Sequence, residues 1–142
     1  MRGNDVGRVR AFFESISPQS VQRIGEIYAV DAWFKDPFNE VRGVESIRRI
    51  FEHMFEQVDS PRFVVREVLA EGDGAFLTWD FVFRNSRLGE GQQVIRGASH
   101  LRFDADGRVN YHRDYWDAAE ELYEKIPFLG GLMRALKRRA AR

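Results

Sequence analysis

The sequence predicts an α+β fold in which helices pack on a curved, mostly antiparallel sheet. Apolar residues recur at helical spacing through the N-terminal part of the chain. They alternate with a period of two from residue 62 to residue 116, and helical spacing then returns. Helices followed by a run of strands favour an α+β layout over a parallel βαβ layout.

Length and composition indicate one domain. The chain has 142 residues, of which 44% are apolar and 13% aromatic, more than a disordered chain carries. It contains no cysteine, which excludes disulfides and thiolate metal sites and suits a reducing cytoplasm. No apolar run approaches the roughly 20 residues of a membrane-spanning helix. We therefore expect a single cytoplasmic domain over residues 1–142.

The 22 basic and 22 acidic residues balance, so no global field attracts nucleic acid. The basic residues are nevertheless concentrated at the C-terminus, where no acidic residue follows Ile126. Residues from about 129 to 141 predict a basic amphipathic helix. Its more ordinary role is a lid over a pocket mouth, and the alternative is peripheral contact with an acidic membrane surface or partner.

Three helices and one short extended segment are predicted before residue 62. Ser17-Pro18 is typical of a helix N-cap followed by a first-turn proline. The segment 33–38 is expected to be extended, because the residue before Pro37 is pushed out of the helical region. The three helical stripes are Val6, Val9, Phe13 and Ile16, then Val21, Ile24, Ile27 and Tyr28, then Val44, Ile47, Phe51, Met54, Phe55 and Val58.

Four strands are predicted after residue 62, over 62–71, 75–84, 92–103 and 108–116. Glycine- and aspartate-rich turns separate them. Alternation places His112 and Asp114 on one face of the last strand, where the two side chains can share a proton. Asp80 belongs to one face of its strand, and the pattern leaves open which face lines a pocket. The remaining residues of the last strand divide into Asn110 and Trp116 beside His112, and Tyr111, Arg113 and Tyr115 opposite.

Asp36 is a second candidate for acid-base chemistry, because it lies between two phenylalanines and precedes a proline. One interpretation is a carboxylate that shuttles a proton. The alternative is a turn aspartate that accepts hydrogen bonds from nearby backbone amides. The three histidines show no metal-ligand spacing, and phosphate-binding and serine-hydrolase motifs are absent, so we predict no metal and no cofactor.

Two segments resemble the ketosteroid isomerase and nuclear transport factor 2-like (SnoaL-like) superfamily. They are DAWFKDPFNEVRG and RGASHLRFDADGRVNYHRDYWD, and the ending HRDYWD is also similar to the matching strand of limonene epoxide hydrolases. The resemblance implies a cystatin-like cone around one small apolar pocket, in a homodimer that joins through the face carrying Tyr111, Arg113 and Tyr115.

The same resemblance assigns roles to individual positions. Asp36 matches the general base of the isomerase, whereas Phe12 or Phe13 and Ser99 occupy the positions of its oxyanion donors. Because phenylalanine has no hydroxyl and serine is a weak donor, we expect negligible ketosteroid isomerisation. Asp114 matches an aspartate of the epoxide hydrolase, whose paired arginine and aspartate would fall near Thr78 and Asp80.

These observations predict a pocket protein for a small apolar molecule, with isomerase, hydrolase or dehydratase chemistry that needs no cofactor. Asp36 would be the base, and Asp114 with His112 would orient the ligand or a water. The alternative is a non-catalytic ligand-binding or protein-interaction module of the same fold. The side chains expected to contact the ligand are Tyr28, Ser99, Trp116, Asp80 and Phe55.

Overall fold

The computed structural model describes residues 2–121, 136 and 138–140. In this part of the chain, six strands form one curved sheet in the order β2-β1-β6-β5-β4-β3. The strands are β1 (Tyr28–Lys35), β2 (Glu40–Arg42), β3 (Asp59–Glu71), β4 (Gly74–Arg84), β5 (Gln92–Phe103) and β6 (Val109–Tyr115). The α-helices are α1 (Arg2–Glu14), α2 (Pro18–Val21), α3 (Val44–Gln57) and α4 (Ala118–Glu121), and short 3-10 helices cover Ile24–Glu26 and Ser86–Leu88.

The predicted α+β fold with an antiparallel-rich sheet is confirmed. Only β1 and β6 pair in parallel among the described strands, and the other neighbours are antiparallel. The N-cap at Ser17 is also confirmed, because its hydroxyl accepts a hydrogen bond from the Ser20 backbone amide and α2 starts at Pro18. The predicted helix over 129–141 lies almost wholly outside the described residues.

The predicted second helix extends too far along the chain. Its inner stripe includes Tyr28, but Tyr28 is the first residue of β1 and pairs with Val109 of β6. Pairing with a strand about 80 residues later fixes this conformation, and local helical spacing carries no information about such a partner. The error matters because β1 then carries Tyr28 and Phe34 into the core, where both are fully buried.

Helices α1 and α3 cover one face of the sheet, which we call the inner face. Ile47 and Phe51 of α3 are buried with Phe34 and Leu101 of the sheet in one apolar core. Polar contacts hold α1 across the strands. The Arg8 guanidinium donates to the Gly107 carbonyl at 2.8 Å, and a Glu14 carboxylate oxygen accepts from the Val65 amide at 3.1 Å. No helix in the described part of the chain is long and apolar enough to cross a bilayer.

The opposite, outer face carries a row of touching rings that no described element covers, and we call it the outer aromatic row. Its ring centroids lie 4.9 Å apart between Trp33 and Tyr111, 5.1 Å between Tyr111 and His100, and 4.4 Å between His100 and Phe76. Phe76 is 47% exposed, and Leu69 on the neighbouring strand is 69% exposed. Burial, helped by the charge of Arg102, lowers the pKa of His100.

Candidate functional site

Two adjoining cavities lie between the helices and the inner face of the sheet. The small cavity has a volume of about 30 Å³ and is bounded by α1, α3 and strands β3 to β6. The wide cavity has a volume of about 1040 Å³. The two share the side chains of Phe51, Phe63, Trp79 and Asp114, so Asp114 stands where one cavity meets the other.

Eight aromatic side chains line the wide cavity, together with a larger number of polar and charged side chains. The charged or titratable residues include Arg49, His53, Glu56, Arg84 and Arg87. The aromatic lining residues are Phe34, Phe38, Phe51, Phe63, Trp79, Phe81, Phe83 and Trp116. The ring-lined part of these walls suits an apolar molecule, because each ring withdraws a large apolar area from water when it is covered.

Antiparallel pairing of β5 with β6 sets Ser99 directly opposite Asp114. The Ser99 hydroxyl donates to Asp114 Oδ1 at 2.5 Å. The Trp79 indole N–H in turn donates to Ser99 Oγ at 2.9 Å. Asp114 thus receives a donor from the next strand, and that donor is itself oriented by a tryptophan of the strand beyond.

His112 contacts the same carboxylate oxygen and is itself bonded to Tyr28. His112 Nε2 lies 2.6 Å from Asp114 Oδ1, and the Tyr28 hydroxyl lies 2.6 Å from His112 Nδ1. The His112 side chain is only 3% exposed. We call Tyr28, His112, Asp114, Ser99 and Trp79 together the buried polar network.

The network leaves one carboxylate oxygen of Asp114 available. Oδ1 is bonded to both Ser99 and His112, whereas Oδ2 receives no hydrogen bond from any residue of the described chain. The Asp114 side chain is 16% exposed and lines both cavities. Oδ2 is therefore the oxygen that a molecule in the cavities can reach, and a carboxylate placed in this way can accept a proton.

Asp36 also lines the wide cavity, but its carboxylate is engaged in a turn. Its Oδ1 accepts hydrogen bonds from the backbone amides of Phe38 at 2.8 Å and Asn39 at 2.7 Å. The Asn39 side-chain amide approaches both carboxylate oxygens, at 3.1 and 3.2 Å. This is the turn role that the sequence left as the alternative to a proton-shuttling base.

Three residues expected to contact a ligand lie elsewhere. Leu77 and Trp79 face the cavities, so Asp80 lies on the outer face, where its Oδ2 accepts from Arg66 Nε at 3.0 Å and Nη2 at 2.6 Å. Tyr28 lines neither cavity, because it lies behind His112 and its hydroxyl bonds to that ring. Phe55 is half-buried against the core and lines neither cavity.

Ser99 and Trp116 do lie at the cavities. Ser99 lines the small cavity, but its hydroxyl donates to Asp114 and so does not donate to a ligand. Trp116 lines the wide cavity and makes an edge contact with Phe38, with centroids 5.6 Å apart. Among the predicted site residues, Asp36, His112 and Asp114 also line at least one cavity.

Two residues of the site were not predicted from the sequence. Trp79 is a hydrogen-bond donor, and Gly97 makes room for its indole. Gly97 pairs directly with Trp79 across β4 and β5, and Ser99 lies two residues further along β5. A Cβ at Gly97 would lie 2.4 Å from Cη2 of the indole. The available signal was a glycine inside a strand, which often marks the close approach of another group.

Replacing Gly97 tests this packing. Gly97→Ala should destabilise the fold by about 1–3 kcal/mol, because the added methyl forces the Trp79 indole away from Ser99. Unfolding in denaturant, followed by tryptophan fluorescence, measures the change. The control is Gly7→Ala, where no atom lies within 4 Å and the helix should be unaffected or gain up to about 1 kcal/mol. Equal stability of Gly97→Ala and wild type would contradict this account.

Tyr28 gives the fold a specific dependence on alkaline pH. Burial, followed by the charge of Asp114, raises the pKa of Tyr28 well above its usual value. The unfolded chain therefore loses this proton first, so stability is complete below about pH 10 and falls as pH rises above it. One such proton changes the free energy of unfolding by at most about 1.4 kcal/mol per pH unit.

Unfolding curves recorded from pH 8 to 11 should show a smaller loss of stability in Tyr28→Phe than in wild type. Tyr111→Phe, on the outer face, is the matched control and should retain the wild-type slope. An identical slope in Tyr28→Phe and wild type would mean that the phenol does not keep its proton in the folded protein.

Solved structures share this architecture at low sequence identity. A protein of ketosteroid isomerase-like fold from Catenulispora acidiphila, solved with trimethylamine, aligns with a TM-score of 0.72 at 14% identity and covers 87% of this chain and 92% of its own. An M. tuberculosis epoxide hydrolase of the limonene epoxide hydrolase-like (LEH-like) type aligns with a TM-score of 0.70 at 15% identity and covers 94% of this chain and 91% of its own. An NTF2-like protein from Burkholderia thailandensis aligns with a TM-score of 0.69 at 19% identity and covers 82% of this chain and 90% of its own.

Comparison with curated protein sequences finds no match. The model of the SnoaL-like domain matches residues 9–112, which include the C-terminal part of α1, all of α2 and α3, the first five strands and the start of β6 through His112. The family resemblance noted in the sequence is thereby confirmed, and the neighbouring folds agree with it. The chain belongs to the SnoaL-like domain family.

Proposed function

We propose that the protein catalyses proton transfer on a small, mostly apolar molecule bound in the wide cavity, with Asp114 as the base. One observation carries the proposal, namely a carboxylate fixed through Oδ1 whose Oδ2 is available at the junction of two cavities. Isomerase, hydrolase and dehydratase reactions can each use a positioned carboxylate to remove a proton from the substrate or from water, and as the acid form it can return that proton without a cofactor.

The geometry favours Asp114 over Asp36 as the base. Both carboxylates line the wide cavity, but Asp36 is held by amides of its own turn. Asp114 has donors on one oxygen and none from the described chain on the other. A base needs a lone pair that can reach the proton of the bound molecule, and Asp114 meets that requirement.

The dimensions and walls of the cavity support a ring-containing or terpenoid-sized ligand. Ligand pockets usually enclose about 300–1,000 Å³ and are mainly apolar with few polar groups. The wide cavity reaches that scale at about 1040 Å³, and eight of its lining residues are aromatic. Asp114 also lines the small cavity, whose other walls are mainly apolar. Electrostatic effects of a carboxylate are strengthened on that side, because an apolar wall replaces water.

Isotope incorporation tests both branches of the proposed chemistry. The protein is incubated with a panel of apolar epoxides and enolisable ring ketones in D₂O or in ¹⁸O-labelled water. Mass spectrometry then detects deuterium from proton exchange or ¹⁸O from water addition. Asp114→Asn should lower the rate of the active reaction by at least about 100-fold, because the amide cannot take up the proton.

Asp36→Asn is the control, since the amide oxygen can still accept the hydrogen bonds of the turn, and it should retain activity within a few-fold. Loss of activity in Asp36→Asn with none in Asp114→Asn would reverse the assignment. Tight binding of panel compounds without turnover by the wild type would instead identify a non-catalytic binding module.

We also propose that a second copy of the chain covers the outer aromatic row, as the family resemblance implies for this face. The row joins the exposed Phe76 to three half-buried rings, and a contiguous apolar patch of this kind often marks an interaction surface. Sedimentation at micromolar concentration should show a dimer, and Phe76→Lys should shift it towards monomer. Phe38→Lys, at a similarly exposed phenylalanine of the wide cavity, should leave the dimer intact. A monomeric wild type would contradict the proposal.

A further inference from the structure

We infer that Tyr28 is a positioning residue that holds His112 as the neutral imidazole protonated at Nε2, so that Asp114 presents only Oδ2 to a bound molecule. The inference deepens the proposed function and rests on Asp114 being the base. It concerns hydrogen bonds that exist whether or not a ligand is bound. It can therefore be tested without knowing the substrate.

The first step is the direction of the hydrogen bond between Tyr28 and His112. The Tyr28 side chain is 1% exposed, and within the described chain His112 Nδ1 is the partner of its hydroxyl, at 2.6 Å. A buried phenol needs an acceptor for its proton. If Nδ1 were protonated and donated to the phenol oxygen, the Tyr28 proton would have no acceptor among these residues. Tyr28 therefore donates, and Nδ1 is unprotonated.

The second step follows from the chemistry of imidazole. A neutral ring that accepts at Nδ1 carries its proton at Nε2. That nitrogen lies 2.6 Å from Asp114 Oδ1, so the ring donates to the carboxylate. The surroundings reinforce this orientation, because the Tyr28 ring lies nearly parallel to the His112 ring at 5.8 Å, and the rings of Phe13 and Phe34 border the remaining faces.

The proton of Tyr28 is retained over the neutral range. Its burial and the charge of Asp114 both raise the pKa of the phenol, in that order of size. The phenolate would place a second negative charge close to Asp114, and its own burial would deprive that charge of solvation. The donor role of Tyr28 therefore does not change between mildly acidic and mildly alkaline solution.

The third step concerns the two oxygens of Asp114. Oδ1 accepts from both the Ser99 hydroxyl and the His112 Nε2–H. A proton on Oδ1 would displace one of these donors, whereas a proton on Oδ2 displaces none. When Asp114 is protonated, its proton therefore sits on Oδ2, which means that the same atom serves as base and as acid. Tyr28 acts on Asp114 only indirectly, through the ring of His112, which bonds to Oδ1.

Nitrogen-15 NMR of the histidine side chains in the ligand-free protein tests the tautomer. At neutral pH the His112 ring should show a protonated Nε2 and an unprotonated, hydrogen-bonded Nδ1. His53→Gln and His100→Gln, which remove the other two histidines, assign the signals. A His112 ring protonated at Nδ1, or at both nitrogens, would overturn the inference.

Tyr28→Phe removes the donor to Nδ1 while keeping the ring. The single Nε2-protonated state should then be lost in favour of exchanging tautomers. Tyr111→Phe, which borders His100 instead, should leave the His112 signals unchanged. Unchanged His112 signals in a folded Tyr28→Phe protein would show that Tyr28 does not set the tautomer. If Tyr28→Phe does not fold, the wild-type spectrum alone decides the protonation state.

These readouts separate the inference from the proposed function. The expected tautomer without isotope incorporation would support the inference about Tyr28 and contradict the catalytic role of Asp114. Activity that depends on Asp114, in a protein whose His112 is protonated at Nδ1, would support the catalytic role and contradict the inference. Where activity is found, Tyr28→Phe should lower kcat by about tenfold and leave KM unchanged, because Tyr28 contacts neither cavity.

Discussion

Placing the carboxylate of Asp114 at the mainly apolar small cavity, where it meets the wide one, is the constraint on which the rest of the inner face depends. A buried charge without hydrogen bonds costs several kcal/mol, so each such group needs partners of its own. Ser99 and His112 supply two donors to one oxygen, and Trp79 and Tyr28 orient those donors. The strand order β1-β6-β5-β4 is what brings these side chains together from four neighbouring strands.

The register of the sheet carries this arrangement. Trp79 lies opposite Gly97 on β5, and Ser99 lies opposite Asp114 on β6. A slip of one residue would turn either side chain to the other face. Gly97 leaves room for the indole of Trp79 to lie over β5 and reach Ser99, since a Cβ at this position would clash with the ring. The polar network thus depends on a residue that has no side chain to contribute.

Local periodicity in the sequence predicted which residues share a face of a helix or strand. It did not predict features that depend on pairing between strands distant in the chain. The strand face shared by His112 and Asp114, the N-cap at Ser17 and the order of the last four strands follow from spacing and turn chemistry alone, whereas β2 and the full length of β1 were not predicted. The strand conformation of Tyr28 depends on β6, about 80 residues away. The outward position of Asp80 likewise depends on which face α1 and α3 cover, and a two-residue period is the same on both faces.

The two faces of β6 join the proposed site to the proposed dimer surface. His112 and Asp114 point towards the cavities, while Tyr111, which directly precedes His112, belongs to the outer aromatic row. Because these residues alternate on one strand, a partner that covers Tyr111 also restricts the backbone that positions His112 and Asp114. Hydrogen bonds of 2.5 and 2.6 Å to Asp114 Oδ1 tolerate little movement of that backbone. Covering the outer face would therefore remove solvent from the row and, through the same strand, help to hold the carboxylate of Asp114 in place.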